Sequence, residues 1–204
     1  MKYRGNAGLK VGWEISIDLA NDMQNIAYQL LQRSGYKDVD AKRALYQYYN
    51  LERRIVSNHK RVIHKSRQFT CPEGYEEALS MFEQKVREGE SLLPYMSEKW
   101  KMASYNDDLL NDWNLHHFHL TKRFREDGTA KRSDYEIIAY VTETDMYFLQ
   151  VYRHMTAYHK YELIEVMKDN WPDIIEQYRL KDIIELVNRP TEEEYRQLRK
   201  AHMS

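Results

Sequence analysis

The sequence predicts an α+β fold, predominantly helical, with a small three-stranded antiparallel sheet between N-terminal and C-terminal helices. Apolar residues recur at helical spacing in several segments of residues 1–112, the predicted helical part, and again within the predicted C-terminal helices, residues 155–204. Residues 113–154 instead alternate, or are rich in β-branched and aromatic side chains. Only 7 Gly and 4 Pro occur among 204 residues, so no stretch resembles a linker. We therefore expect a single domain over residues 1–204.

Three helices are predicted in the N-terminal part. The first covers residues 14–33, where apolar side chains recur near a 3.6-residue period. The second is long, running from an N-cap at Asp38 or Asp40 to about Arg67. The third covers about residues 72–87, after a Cys-Pro pair that interrupts the chain.

The predicted sheet is a meander of three strands, at residues 114–120, 135–142 and 146–153. The short segment Glu143-Thr144-Asp145 joins the last two as a tight hairpin loop.

Helical spacing returns after the sheet. It predicts helices over residues 157–170 and from Pro172 to about Val187, with the proline in the first turn. Thr191 followed by Glu194 is a capping-box pattern, which predicts one more short helix.

The overall charge excludes a strongly basic protein that binds nucleic acid over its whole surface. The chain has 31 Lys plus Arg, 32 Asp plus Glu and a pI near 6.7. Its one cysteine, Cys71, excludes an internal disulfide and a cysteine-cluster metal site. The sequence has no apolar run long enough for a membrane span and no apolar signal core, so we expect a cytoplasmic protein with no membrane partner.

Histidines are concentrated in and after the first predicted strand. On that strand His117 and His119 share one face, and His116 lies on the other. Two imidazoles so placed can act as general acid and base, bind a metal, or be half-buried structural residues. A metal site would need a third ligand, which His154, Asp134 or Asp145 could supply. This pattern leaves all three uses open.

Basic residues accompany these histidines. The loop over residues 121–133 contains Lys122 and Arg132, and the last strand ends at Arg153. Such cations can stabilise charge on phosphoryl oxygens, although a solvated charged loop has the same composition. A second basic set follows one stripe of the long predicted helix and suits sequence-independent phosphate contact, or simply a solvated helix face. This set comprises Arg53, Lys60, Arg61, His64 and Arg67.

Residues 114–160 resemble the strand region of the RelE/ParE superfamily of small RNase toxins. A tyrosine-rich strand, a short acidic turn and a strand ending in the pair Arg153-His154 make up the segment DYEIIAYVTETDMYFLQVYRH. The segment NLHHFHL, followed by Lys122 and Arg123, looks like the preceding strand of that family with its basic exit. The resemblance implies helices before an antiparallel meander, and ribosome-dependent mRNA cleavage by side chains that the sheet presents.

We predict a toxin-like ribonuclease that cleaves RNA phosphodiester bonds without a metal or other cofactor, and the resemblance implies that it does so in association with the ribosome. His117 and His119 would share the proton transfers, with His154 as a reserve acid. The predicted catalytic set is His117, His119, Lys122, Arg132, Arg153 and His154.

Two other functions fit the same sequence. One is a non-enzymatic binding or regulatory protein that forms homo-oligomers or binds a protein partner, because the chain has amphipathic helices and 17 tyrosines. The other is a metallohydrolase that uses the two strand histidines and a carboxylate.

Overall fold

The computed structural model describes residues 2–5, 13–131, 133–154, 156, 161–179 and 190–201. The chain divides into two compact units, Met1–Arg53 with Lys99–Tyr105, and Arg54–Glu98 with Asn106–Ser204. Within the described residues, no helix is long and apolar enough to cross a membrane.

The first unit contains a two-stranded antiparallel hairpin and the N-terminal helices. Strand β1 (Lys2–Gly5) pairs with β2 (Trp13–Ser16), and helices α1 (Leu19–Arg33) and α2 (Ala44–Arg54) follow. The Asp18 carboxylate caps α1 by accepting a hydrogen bond from the Asn21 backbone N–H. A helix predicted from residue 14 therefore begins at Leu19, and the residues before it form a strand.

The prediction of a long second helix was wrong at both ends. Helix α2 begins at Ala44 and ends at Arg54, and the predicted helix residues Val62–Lys65 form strand β3. Strand β3 pairs in parallel with a strand some 80 residues later in the chain, so its conformation depends on a partner that local periodicity does not reveal. Among its described residues, the part predicted to be helical, residues 1–112, thus contains β1, β2 and β3.

Helix α3 (Glu76–Glu88) confirms the third predicted helix, and the short helix α4 (Asp108–Trp113) precedes the sheet. Gly89 ends α3 in the left-handed conformation, with a φ of 73°. A Cβ atom at this position would lie 2.7 Å from the Lys60 backbone nitrogen, so only glycine meets both requirements.

The prediction of a three-stranded antiparallel sheet was also wrong, because the observed sheet has four strands, of which one pair is parallel. Strands β4 (Leu115–His119), β5 (Tyr135–Val141) and β6 (Asp145–Arg153) form the predicted antiparallel meander. Strand β3 adds to it beside β6, giving the order β3-β6-β5-β4. The α+β class is confirmed, and the correction is the parallel edge strand.

Helices cover both faces of this sheet. One face, formed in part by Leu115 and Ile138, packs against α4, α5 (Glu162–Asn170) and α6 (Pro172–Glu176). On the other face, Phe118 and Phe148 contact Phe82 of α3 at ring centroid distances of 5.1 and 5.9 Å. We call these the α5 face and the α3 face. Every residue of β4 is buried as a result.

The last described helix, α7 (Glu192–Lys200), confirms the capping box. The Thr191 hydroxyl accepts from the Glu194 backbone N–H, and the Glu194 carboxylate accepts from the Thr191 backbone N–H at 2.7 Å. Pro172 does occupy the first turn of a helix, but α6 ends at Glu176. The remainder of the helix predicted to Val187 lies largely outside the described residues, as do residues 157–160 of the one before it.

Candidate functional site

Two histidines and a glutamate meet at one end of the sheet, and we call them the His–Glu–His cluster. His119 ends β4, Glu136 is the second residue of β5, and His154 directly follows β6. The Glu136 Oε1 atom lies 3.1 Å from His154 Nε2 and 3.7 Å from His119 Nδ1. The two imidazole rings are nearly parallel, 8° apart, with centroids 5.2 Å from each other. One carboxylate therefore faces two imidazoles.

Strand register brings the first two members together. His119 pairs directly with Glu136, so both side chains project from the α5 face. The same register places Ile138 and Tyr140 of β5 on that face, within its apolar cluster. Glu136 is therefore the charged position at the end of an otherwise apolar stripe.

A β-bulge brings His154 to the same face. Ala139 pairs with Phe148, whereas Ile138 pairs with Gln150, so β6 carries one extra residue at this point. This extra residue reverses which residues of β6 face which side. Phe148, before the bulge, projects from the α3 face, whereas the even-numbered residues after the bulge project from the α5 face. The His154 backbone N–H then donates to the Asp134 carbonyl at 2.8 Å and continues the pairing past the strand end.

Burial differs across the cluster. The Glu136 side chain is 1% exposed and that of His119 is 8% exposed, whereas that of His154 is 20% exposed. A buried carboxylate needs charged or hydrogen-bonding neighbours to offset its lost hydration. The imidazoles provide them, and a small molecule would approach from the His154 side.

Tyr152 borders the cluster, because it pairs with Glu136 across β5 and β6. Its phenol is largely buried against the apolar cluster of the α5 face, and Glu162 of α5 lies nearby. Burial, followed by the negative charge of Glu162, raises the pKa of Tyr152 well above that of a free phenol. The phenol therefore remains a neutral hydrogen-bonding group throughout the physiological pH range.

His117 lies two residues before His119 on the α5 face and has a different carboxylate neighbour. Its Nδ1 atom is 3.5 Å from Asp107 Oδ2, and both side chains are buried. The other oxygen of Asp107 accepts from the Leu110 backbone N–H and caps α4. His117 and His119 thus share a face, as predicted, but each contacts its own acid. His116 lies on the α3 face with Phe118.

The predicted cations do not converge on the cluster. Lys122 forms an ion pair with Glu77 of α3. Arg153 pairs across the strands with Tyr135, whose ring contacts Tyr75, so Arg153 projects from the α3 face. Arg132, the remaining predicted cation, lies outside the described residues.

The predicted basic stripe does not share a helix face, because α2 ends at Arg54. Arg53 lies in the first unit and Lys60 in the segment before β3. Arg61 is 5% exposed, and its guanidinium donates to the backbone carbonyls of Ser57, His59 and Thr142 at 2.7–3.0 Å. Burial lowers the pKa of Arg61.

The other two members of that stripe lie in or just after β3. His64 Nε2 is 2.7 Å from Asp145 Oδ1, and its ring stacks on Tyr147 at 4.7 Å. Arg67 donates to the Asp169 carbonyl at 2.6 Å. Arg61 and Arg67 therefore donate hydrogen bonds to backbone carbonyls within this unit. These bonds give both residues a structural role that needs no nucleic acid.

Sequence reasoning missed Glu136 and Asp107. Glu136 is the one charged residue in the segment YEIIAYV, and a lone charge within a strand predicted to be buried is the signal that identifies it. Of the acids considered as a third metal ligand, Asp145 contacts His64 at the other end of β6. No family model, curated protein or solved structure matches this chain.

Proposed function

We propose that the chain cleaves RNA phosphodiester bonds by metal-independent proton transfer at the His–Glu–His cluster. One observation carries the proposal: two imidazoles from different strands face one buried carboxylate, and one of them is partly exposed. This moves the acid–base pair from His117 and His119 to His119 and His154.

The chemistry follows from the ring atoms that face Glu136. His154 directs Nε2 and His119 directs Nδ1 toward the carboxylate, which leaves the opposite nitrogen of each ring directed elsewhere. A carboxylate that accepts one N–H holds the ring orientation and tautomer, so the other nitrogen can exchange a proton with substrate. Glu136 thus faces both imidazoles and is close enough, at 3.1 Å, to position His154, whereas His119 Nδ1 at 3.7 Å is beyond hydrogen-bond distance.

The proposed reaction uses both imidazoles. One accepts the proton of a ribose 2′-hydroxyl while the 2′-oxygen attacks the adjacent phosphorus. The bond from phosphorus to the 5′-oxygen breaks, and the other imidazole donates a proton to the leaving oxygen. The products are a 2′,3′-cyclic phosphate and a 5′-hydroxyl. DNA lacks the attacking group and is therefore not a substrate.

Two features support RNA as the substrate class. The resemblance of residues 114–160 to RelE/ParE toxins implies mRNA cleavage on the ribosome. Lys122 and Arg123 follow β4 and Arg153 ends β6, so these cations lie at the same end of the sheet as the cluster, although Arg153 projects from the α3 face and Lys122 pairs with Glu77 of α3. Cations at this end favour the approach of a phosphate backbone.

The test uses end-labelled single-stranded RNA and DNA of one sequence, with and without EDTA and with and without ribosomes. We expect cleavage of RNA alone, unaffected by EDTA, with cyclic phosphate ends. The double variant His119→Ala/His154→Ala should lose about 1,000-fold or more in rate. His116→Ala is the matched control, because it alters the other face of the same strand. Full activity in the double variant, or equal cleavage of DNA, would contradict the proposal.

A second candidate is a non-enzymatic homo-oligomeric binding protein. It is favoured by an apolar stripe along α1 that is exposed at 4-3-4 spacing, Leu19, Met23, Ile26 and Leu30. This spacing is that of a coiled-coil seam, and α1 begins with acidic Asp18 and Asp22 and ends with basic Arg33. An antiparallel second copy of α1 would satisfy both features.

Sedimentation velocity tests that candidate. We expect a dimer that Leu19→Lys/Ile26→Lys converts to a monomer, while Asn25→Lys on α1 leaves it intact. A wild-type monomer at tens of micromolar would remove this candidate.

A further inference from the structure

We propose that the His–Glu–His cluster is also a binding site for one divalent transition-metal cation, with zinc(II) as the probe. Its three candidate ligand atoms, one from each residue, all lie within 4.8 Å of one another. The binding rests on this geometry alone. The effect on RNA cleavage described below rests on the proposed function.

The atom separations match a tetrahedral site. Zinc bonds to imidazole nitrogen and carboxylate oxygen are about 2.0–2.2 Å long, so two ligand atoms on one tetrahedral ion lie about 3.3 Å apart. The observed separations between Glu136 Oε1 and the two imidazole nitrogens are 3.1 and 3.7 Å. Shifts of a few tenths of an ångström would therefore bring these two separations to the tetrahedral value, and the third, between the two imidazoles, is at most 4.8 Å.

The ligand types select the class of cation. Two imidazoles with one carboxylate suit zinc, cobalt or nickel, whereas magnesium and calcium prefer sites made of oxygen atoms. Three protein ligands leave one position of a tetrahedral ion open. Because the His154 side chain is 20% exposed, we expect a fourth ligand to reach the ion from that side.

The fold holds the three residues in place before any cation arrives. His119 and Glu136 are opposite each other in a regular antiparallel pair. His154 is held by its backbone hydrogen bond to the Asp134 carbonyl, and its side-chain direction follows from the bulge in β6. A bound cation would also offset the negative charge of a carboxylate that is 1% exposed. Binding should therefore stabilise the folded state.

Zinc should inhibit the proposed RNA cleavage. A cation bound to His119 Nδ1 and His154 Nε2 takes the lone pairs of the ring nitrogens that face Glu136 and ties both rings to one ion. The rings then no longer exchange protons through the tautomers that the carboxylate holds.

The test measures binding directly, by isothermal titration and by elemental analysis after dialysis against zinc. We expect one zinc per chain and a thermal midpoint raised by about 5 °C at zinc well above its dissociation constant. Glu136→Gln and His154→Gln should each weaken binding about 100-fold or more, because each removes a direct ligand. His116→Gln, on the other face of β4, should bind zinc as the wild type does.

His154→Gln keeps the test decisive if Glu136→Gln fails to fold, because His154 is the most exposed of the three. Cobalt(II) absorption in the visible range adds a readout that depends on ligand geometry. Absence of stoichiometric zinc binding in the wild type, or unchanged affinity in His154→Gln, would overturn the proposal.

Parallel RNA cleavage assays separate this proposal from the function on which its inhibition rests. Stoichiometric zinc binding without cleavage under any condition supports the metal site and removes the ribonuclease. RNA cleavage without zinc binding supports the ribonuclease and removes the metal site. Cleavage that zinc stimulates supports the metal site and contradicts the metal-independent mechanism.

Discussion

Strand β6 has a histidine–carboxylate contact at each end, and the two differ mainly in burial. At its start, Asp145 contacts His64 at 2.7 Å, with side chains 27% and 38% exposed. At its other end, His154 contacts Glu136 at 3.1 Å, and that acid is 1% exposed. The shorter contact is the weaker candidate for function, because solvent screens its charges. The His–Glu–His cluster differs from the pair of His64 and Asp145 in its burial and in the second imidazole that faces the same carboxylate.

The largest difference between the two ends should appear in catalysis. We expect His154→Ala to lower the rate of RNA cleavage about 100-fold or more, because it removes one proton-transfer group. His64→Ala should cleave at the wild-type rate, since it alters only the exposed pair. Initial rates on one labelled RNA compare both variants, with circular dichroism to verify folding. Equal losses in the two variants would remove the distinction between the two ends.

Stability should differ in the same direction. We expect Glu136→Ala to lower the free energy of unfolding by about 3 kcal/mol, because it leaves buried imidazoles without their carboxylate. Asp145→Ala should cost about 1 kcal/mol or less, as for other exposed pairs. Urea denaturation at pH 7 measures both values. A larger loss for Asp145→Ala would show that burial is not the deciding variable.

The contact between His117 and Asp107 provides an intermediate case. Asp107→Ala removes both the cap of α4 and the neighbour of His117, so we expect a loss of about 1–2 kcal/mol. Asp107→Asn keeps a capping oxygen and should lose less. If the two variants lose the same amount, the cap is not what Asp107 contributes.

The smallest expected effect is on the pH dependence of stability, and it comes from the exposed pair of Asp145 and His64. Hydrogen bonds from the Thr144 hydroxyl and then from His64 hold the pKa of Asp145 below its ordinary 3.8. Its contribution to stability is therefore fully present above the ordinary pKa and is lost as pH falls through the lowered one. The difference in unfolding free energy between wild type and Asp145→Asn should thus shrink as pH falls below about 4.

Urea denaturation across that pH range measures the difference. A difference that grows as the pH is lowered below about 4 would reverse the sign expected from Asp145.

Local patterns predicted the elements that local forces decide. The three antiparallel strands were recognised from β-branched and aromatic runs, and the observed strands agree within one residue at most ends. The capping box at Thr191 was likewise predicted, since both of its hydrogen bonds join residues three apart. The convergence of His119 and His154 was not, because they come from different strands.

Periodicity was a poor guide where tertiary contacts choose between alternatives. On α1 the apolar residues Leu19 and Ile26 are exposed, while Ala27 and Leu31 are buried. The residues of β3 also fit a helical pattern, but their backbone groups pair with β6. A four-residue segment has too little intrinsic preference to resist such a partner.

The sequence by itself determined the α+β class, the meander of β4, β5 and β6, and the supply of histidines near one another along the chain. Only the tertiary structure decided which of them meet. The bulge in β6 turns His154 to the face of His119, and strand register places Glu136 between them. Both effects depend on how distant strands align, and a shift of one residue would move each side chain to the opposite face.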